Sequence, residues 1–269
     1  MAESRQWFEV KKLKDYLYLI RENLDAIDPR FHSIYTNLYL LFGTDKALLI
    51  DTGAGLYPIK PLVNDLIGNR ELIVINTHCH WDHVGNNHEF NEILIHEIES
   101  LTISRPINIT NLRDSSRDVV KRYEKNDFSL LPAPSIKTVK GGDKIMLGGL
   151  EVKVIHTPGH SPGSISLFTN RNELFTGDTA HYGSVYLPKK KMFPKFLESL
   201  LKLIKTCENK ESVEIYPSHE EYGVGIELLK DLHDGILNLE NIWDTKAKDN
   251  FLRSWIINDD KFEYVISRI

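Results

Sequence analysis

The segment Thr77-His78-Cys79-His80-Trp81-Asp82-His83 sets four imidazole and carboxylate groups, His78, His80, Asp82 and His83, within six residues. In a solvated loop such groups would crowd polar and charged atoms together with no structural gain, so a bound cation is the simplest purpose for them. Along an extended chain, His78, His80 and Asp82 point to one side and Cys79 and Trp81 to the other. Two imidazoles can hold one cation, and Asp82 with His83, which begins the next turn, can hold a second close by. Three further segments repeat a polar group just after a strand: Thr157-Pro158-Gly159-His160, Gly177-Asp178 and Pro217-Ser218-His219. Glycine and proline permit the tight turn that aims His160 back over the strand ends, and carboxyl ends of strands are where α/β folds collect their sites. Neutral imidazoles and carboxylates suit zinc, iron(II) or manganese(II). The absence of thiolate ligands argues against a closed structural zinc site.

Periodicity identifies the elements that must carry these groups. Residues 16–20, 33–41 and 47–51 read as strands, two of them joined at Gly43-Thr44-Asp45. Ile59, Leu62, Val63, Leu66 and Ile67 form the apolar stripe of a helix over 58–68 that Gly68 stops, and residues 72–76 form a buried strand running straight into the histidines. A second strand block covers 145–147, 151–156, 164–169 and 173–176, with turns at Gly148-Gly149 and Asn170-Arg171-Asn172. A helix over 196–207, a strand over 213–216 and a helix over 226–243 follow, and residues 262–269 offer a terminal strand. The repetition of strand block and helix predicts an α/β fold of two sheets with helices outside.

Composition narrows the function classes. The chain has 269 residues, 26% of them charged, and a formal charge of −5, which offers no general attraction to polynucleotides. No apolar run approaches the ~18 residues of a membrane span, and residues 1–10 lack a signal-like apolar core. A cytoplasmic protein acting on a small molecule, with no nucleic-acid or membrane partner, is expected. The two cysteines, Cys79 and Cys207, are expected to be free thiols.

Taken in order, Leu49-Ile50-Asp51-Thr52-Gly53, His78-x-His80-x-Asp82-His83, His160, Asp178 and His219 resemble the five-motif signature of the metallo-β-lactamase-fold hydrolases. The resemblance implies an αββα sandwich, two mixed β-sheets with helices on the outer faces and the site along one edge. It implies a single domain over 1–269: a core of about 12–222, an insertion at 96–140 and a C-terminal helical tail at 223–269. By resemblance, His78, His80 and His160 hold a first divalent ion and Asp82, His83 and His219 a second, zinc being expected. Asp178 bridges them, and Asp51 fixes ligand geometry by hydrogen bonding without touching metal. A water shared by two cations loses its proton near neutrality, and one cation polarises the scissile group, with Asp82 and Asp178 as the catalytic carboxylates. Asp82, a metal-bound water, Tyr182 and Tyr186 are candidates for protonating the leaving group.

Asp178 stands where one class of β-lactamases carries cysteine, so the resemblance favours the glyoxalase II, lactonase and acyl-thioesterase branches. Hydrolysis of a carboxylic ester, thioester or lactone is the expectation. Phosphodiester or phosphotriester hydrolysis and a mononuclear-iron sulfur dioxygenase are the alternatives. Residues 178–188 resemble the lid segment of an acyl-thioesterase branch, an apolar, tyrosine-rich stretch suited to an acyl chain; Tyr182 and Tyr186 within it, His181 three residues after Asp178 and Lys189 of the lysine trio 189–191, which could contact an anionic substrate, are the substrate candidates. His156 is read as a packing residue, and Cys79 as pointing away from the metals.

Overall fold

The computed structural model describes residues 6–208 and 210–268. The chain opens with an antiparallel meander of β1 (Glu9–Lys14), β2 (Leu17–Asn23), β3 (Tyr35–Phe42) and β4 (Lys46–Ile50). Helix α1 (Lys60–Ile67) carries the chain back, so β5 (Glu71–Ile75) pairs with β4 in parallel. The short helix α2 (Trp81–Val84) follows the histidine segment, and β6 (Glu92–His96) joins β5 in parallel. Residues 97–134 contain the short helices α3 (Ser100–Ile103) and α4 (Arg117–Glu124) and the two-residue strands β7 (Ile107–Asn108) and β8 (Ser129–Leu130). Strand β9 (Ser135–Val139) then returns to pair with β6, completing a seven-stranded sheet in the order β1-β2-β3-β4-β5-β6-β9. The expected insertion is therefore shorter than 96–140, because both of its ends are strands of the first sheet.

The second sheet is built from β10 (Lys144–Met146), β11 (Glu151–His156), β12 (Ile165–Thr169) and β13 (Glu173–Gly177). Next come β14 (Gly183–Leu187), helix α5 (Phe193–Cys207) and β15 (Glu214–Pro217), the last pairing in parallel with β13. Alternation explains how the two sheets stack. Leu48 and Ile50 of β4 meet Val152, Val154 and Phe175 between the sheets, whereas Ala47 and Leu49 face the outer layer with Leu62 and Val63 of α1. Leu174 on the far side of the second sheet packs under Phe196, Leu200 and Leu203 of α5 and Leu228 and Leu232 of α6 (Glu227–Asn238). The result is the expected sandwich, helices outside two mixed sheets.

The C-terminal region departs from the expected helical tail. After α6 it forms β16 (Ala247–Asp249), β17 (Ser254–Asn258) and β18 (Phe262–Ser267). Phe262, Tyr264 and Ile266 recur with the strand period and are buried, and Asp259 shapes the turn by accepting from the Lys261 and Phe262 amides, 2.8 Å each. Residues 183–187, read as part of a lid, are β14, paired in parallel with β18 from Gly183↔Phe262 to Leu187↔Ile266. A segment with an unbroken strand partner is a wall rather than a lid. No helix among the described residues is long and apolar enough to cross a membrane.

Candidate metal centre

The candidate residues converge at one edge of the sandwich, each delivered by the end of a strand. Asp51 follows β4, and its φ of 64° suits the short polar side chain of aspartate. Its fully buried carboxylate accepts from the Thr77 amide at 2.7 Å, the Thr77 hydroxyl at 2.8 Å and His83 Nδ1 at 2.9 Å. The loop after β5 is thereby pinned to the loop after β4. The extended stretch ends at His80, which caps α2, and one helical turn presents both Asp82 and His83. His160 sits in the loop after β11, Asp178 directly after β13 and His219 after β15.

Two sets of ligand atoms result. One oxygen or nitrogen from each of His78, His80, His160 and Asp178 lies within 4.8 Å of the others, and the same holds for Asp82, His83 and His219. Asp178 lies between the sets. Its Oδ2 is 3.4 Å from His160 Nε2, 3.7 Å from His78 Nε2 and 3.1 Å from His219 Nε2, while its Oδ1 is 3.2 Å from His83 Nε2. His80 Nδ1 approaches His160 Nε2 to 2.7 Å.

Hydrogen bonds on the far side of each ring decide which nitrogen is free. His83 Nδ1 donates to Asp51, His160 Nδ1 to the Tyr186 carbonyl at 3.0 Å and His219 Nδ1 to the Tyr35 carbonyl at 2.8 Å. In each case the Nε2 lone pair is turned into the cluster. Thr77 Oγ1 gives its proton to Asp51 and so accepts from His78 Nδ1 at 3.1 Å. Asp51 thus orients a member of each set, one directly and one through Thr77. The fit to cations shows in what these bonds leave open: His78 Nε2, His83 Nε2 and Asp178 Oδ1 are buried with no hydrogen-bond partner. A buried polar atom left so is destabilising by about 1–3 kcal/mol, and three converging Lewis bases are what a divalent ion satisfies.

Electrostatics agree. Burial alone would raise the Asp178 carboxyl, but the imidazoles of His219, His83, His78 and His160 hold it well below the usual range. Burial, reinforced by His80 and His83, lowers His160 to about 3, and burial with His83 holds His78 well below its usual value. Both rings are neutral at physiological pH. At the second set burial opposes protonation, yet Asp178 and Asp82 win and raise His219 to about 9, and with Asp51 they raise His83 as well. The carboxylates make that point one where positive charge is stabilised.

The remaining candidates divide. Tyr186 borders the cluster, but its hydroxyl donates to the Phe31 carbonyl, which commits it to structure. Tyr182 is turned away, its ring stacked on Phe262 at 5.5 Å and its hydroxyl 3.4 Å from Asp231. His181 is fully buried, donates Nδ1 to the Tyr182 carbonyl and lies ring to ring with His219 at 5.1 Å. It belongs to the packing behind the cluster rather than to a substrate rim, and burial followed by the His219 charge lowers it to about 4. His156 stacks on His96 at 4.0 Å and donates to the Pro162 carbonyl. Cys79 lies outside both ligand sets, and burial beside the Glu99 carboxylate pushes its thiol up to about 12.

Two hollows meet at the cluster. A 210 Å³ cavity, mostly apolar, is lined by Leu24, Phe31, Trp81 and Leu252 beside Asp82 and Asp178. A 520 Å³ cleft continues past His80, His160 and Tyr186 to Lys189, Lys191 and Ser267. Lys189 and Lys191 thus line the cleft that leads from the cluster. Sequence reasoning missed Thr77, Phe31 and Leu252, and it set Trp81 on the side away from the ligands, whereas Trp81 lines the cavity beside His80 and Asp82 because α2 begins there and ends the alternation. The position of Thr77 next to His78 was a usable signal, whereas nothing near Leu252 pointed to the site. It also missed Glu99, which is buried and holds the His160 loop by accepting from the Ser161 hydroxyl and the Gly163 amide.

Residues 34–219 match the family model described as the metallo-beta-lactamase superfamily. Among curated proteins, acyl-coenzyme A thioesterase MBLAC2 of Gallus gallus is 30% identical over 67% of this chain and 68% of the relative. The protein of the same name from Homo sapiens is 28% identical over 80% of this chain and 81% of its own length. Among solved structures, a metallo-beta-lactamase family protein from Thermus thermophilus superposes with a TM-score of 0.64 at 19% identity. The match covers 87% of this chain and 84% of that one, a likeness of fold.

Proposed function

The chain belongs to the metallo-beta-lactamase superfamily and is a metal-dependent hydrolase, and from that premise we propose that it cleaves acyl thioesters whose thiol carrier is anionic. The observation that carries this reading is the meeting of an apolar cavity and a lysine-lined cleft at one His/Asp cluster. An acyl chain suits the first and a negatively charged leaving group the second. The named relatives, thioesterases acting on acyl-coenzyme A, support the same class.

In this reading His78, His80 and His160 would hold one divalent ion and Asp82, His83 and His219 a second, with Asp178 between the two sets; the imidazole and carboxylate donors suit zinc, iron(II) or manganese(II). Divalent ions at such a site supply Lewis acidity toward a carbonyl and acidify water near neutrality. The chain's own residues do the rest. Asp51, the Tyr186 carbonyl and the Tyr35 carbonyl keep the ring nitrogens aimed inward. Leu24, Phe31 and Trp81 exclude water from the acyl side, which strengthens every charge interaction in the cluster. Asp82 and Asp178 border the cavity as carboxylates and can accept hydrogen bonds that orient the water adding to the carbonyl carbon.

The leaving group separates thioesters from their competitors. When the C–S bond breaks, a thiol of pKa about 8.5 departs as thiolate with little need of a proton, whereas an alkoxide requires one in the transition state. The candidate side chains offer none: Tyr186 is committed to Phe31, Tyr182 is turned away, and both carboxylates are held ionised. The free thiols of Cys79 and Cys207 and the charge of −5 support a reducing, cytoplasmic setting and a small-molecule substrate rather than nucleic acid.

The test is a substrate panel run on protein loaded with zinc, iron or manganese: acyl-pantetheine and acyl-coenzyme A thioesters, alkyl esters, lactones and phosphodiesters. Thioesters are expected to exceed alkyl esters and phosphodiesters by about tenfold or more in kcat/KM, which corresponds to about 1.4 kcal/mol in barrier. Faster phosphodiester cleavage, or oxygen consumption on a persulfide, would overturn the reading.

A further inference from the structure

The apolar cavity has walls of unusual origin. Phe31 comes from the loop between β2 and β3, Trp81 from the metal-ligand segment itself, and Leu252 from the β16–β17 turn, beyond the 34–219 family match. These walls are braced. The Phe31 ring sits 5.0 Å from Trp81 and 5.3 Å from Phe251, and the Arg30 guanidinium covers Phe251 at 4.0 Å. The neighbouring His32 contacts Glu263 of β18 at 2.9 Å and Asp249 of β16 at 3.1 Å, while Tyr186 of β14 fastens the Phe31 carbonyl. Asp28 ties the same loop through Arg30 at 2.5 Å and Ser115 at 2.8 Å. The loop between β2 and β3 and the C-terminal sheet are thus locked together around the cavity, so its depth is set by the packed structure and does not adapt freely.

We infer that Phe31 and Leu252 are specificity-determining residues that measure the acyl chain, limiting good substrates to straight chains of medium length. This rests on the acyl reading proposed above. The cavity spans 210 Å³ and takes in the His80, Asp82, His160, Asp178 and His219 side of the cluster, so at about 30 Å³ for each water-sized group roughly seven such groups is its upper limit, the reacting carbonyl included. Chains of no more than about seven carbons fill it. Within that range each added methylene finds apolar contact and raises kcat/KM by about three- to fourfold. Beyond it the chain must displace braced aromatic rings or leave its end in water.

The experiment uses the zinc-loaded full chain and straight acyl groups of two to sixteen carbons, each as its pantetheine thioester and as its p-nitrophenyl ester. Binding of the corresponding free carboxylic acids is measured calorimetrically alongside. Wild type is expected to peak at no more than about seven carbons in both ester series and in acid binding, the upper limit that follows from the cavity volume. Phe31→Leu, which deepens the cavity while keeping an apolar side chain, moves the optimum to longer chains. Leu252→Phe, which fills it, moves the optimum to shorter ones. Either variant confirms the inference by shifting the optimum by two carbons or more, and the acid-binding series reports on the cavity even where turnover is lost. A kcat/KM that climbs steadily to sixteen carbons, or an optimum that neither variant moves, overturns it. The same length profile on p-nitrophenyl esters with no thioester turnover would keep the ruler and refute the thioester reading. Inactivity on both series together with length-independent acid binding would refute both.

Discussion

Replacing Asp51 by asparagine changes which nitrogen of the cluster's imidazoles carries the proton while leaving every ring in place. Asparagine tolerates the φ of 64° and has the same shape, so the backbone has no reason to move. Its amide oxygen can keep the bond from the Thr77 amide. The amide nitrogen then replaces Oδ2 and faces Thr77 Oγ1, 2.8 Å away, and His83 Nδ1, 2.9 Å away. As a donor it requires both to accept. His83 must then carry its proton on Nε2, the atom aimed at the cluster. Thr77, no longer donating to residue 51, can donate to His78 Nδ1 and drive that ring the same way. Restoring the ligating tautomer leaves two buried donors facing each other, destabilising by about 1–3 kcal/mol. The expected loss of metal affinity is about 10- to 100-fold, the usual scale for removing a partner that orients a ligand. Zinc titration against a competing chelator measures it, and nitrogen-detected NMR of the histidine side chains reads the tautomers directly. An Asp51→Asn protein that binds zinc within threefold of wild type, with the His83 proton still on Nδ1, would refute the reasoning.

Other consequences can be checked singly. Glu22 is fully buried, accepts from Trp7 Nε1 at 2.6 Å and from the Ala54 amide at 2.8 Å, and burial pushes it up to about 7 from 4.5. Between those values the folded protein binds a proton that the unfolded chain has lost. Its contribution is therefore fully present below pH 4.5 and is lost as pH rises through about 7, a fall on the order of 3 kcal/mol; urea unfolding at pH 5 and 8 should show Glu22→Gln abolishing that part of the slope, and an unchanged slope would refute it. Gly85→Ala would place a Cβ 2.2 Å from the Ala54 carbonyl carbon and 2.3 Å from the Gly55 amide nitrogen, where backbone meets backbone. A loss of about 3 kcal/mol in thermal unfolding is expected, at the upper end for overpacking, and a change under about 1 kcal/mol would contradict the geometry. Lys189→Ala combined with Lys191→Ala should raise KM for acyl-coenzyme A several-fold at low salt and leave kcat and acyl-pantetheine KM nearly unchanged, with the difference vanishing in high salt; equal effects on both substrates would remove the lysines from carrier recognition.

The strands that carry the cluster are legible because burial on one or both faces stamps a period on the local sequence. The readings of 47–51 and 72–76 fall within one residue of β4 and β5, and the stripe from Ile59 to Ile67 marks α1. Elements with weak internal periodicity escape such reading. β1 is an exposed edge strand, largely polar and lysine-bearing, and β9 alternates imperfectly because most of its side chains are exposed or half-buried. The segment 183–187 resembles a lid because its tyrosine and small residues carry no mark of what they pair with. Its partner lies in β18, with Ser184 bonding to Glu263 79 residues away.

The ligand types and their order along the chain are determined by sequence alone, since a metal site is written in local chemistry: imidazoles and carboxylates placed where strands end. Tertiary structure decides what surrounds them. His181, a substrate candidate by position, becomes packing behind His219; Tyr186 becomes a fastening for the Phe31 loop; Leu252, with no motif near it, becomes a wall of the cavity. Strand pairing and cavity walls arise when distant segments meet, and a residue's environment then depends on partners its neighbours in sequence do not encode.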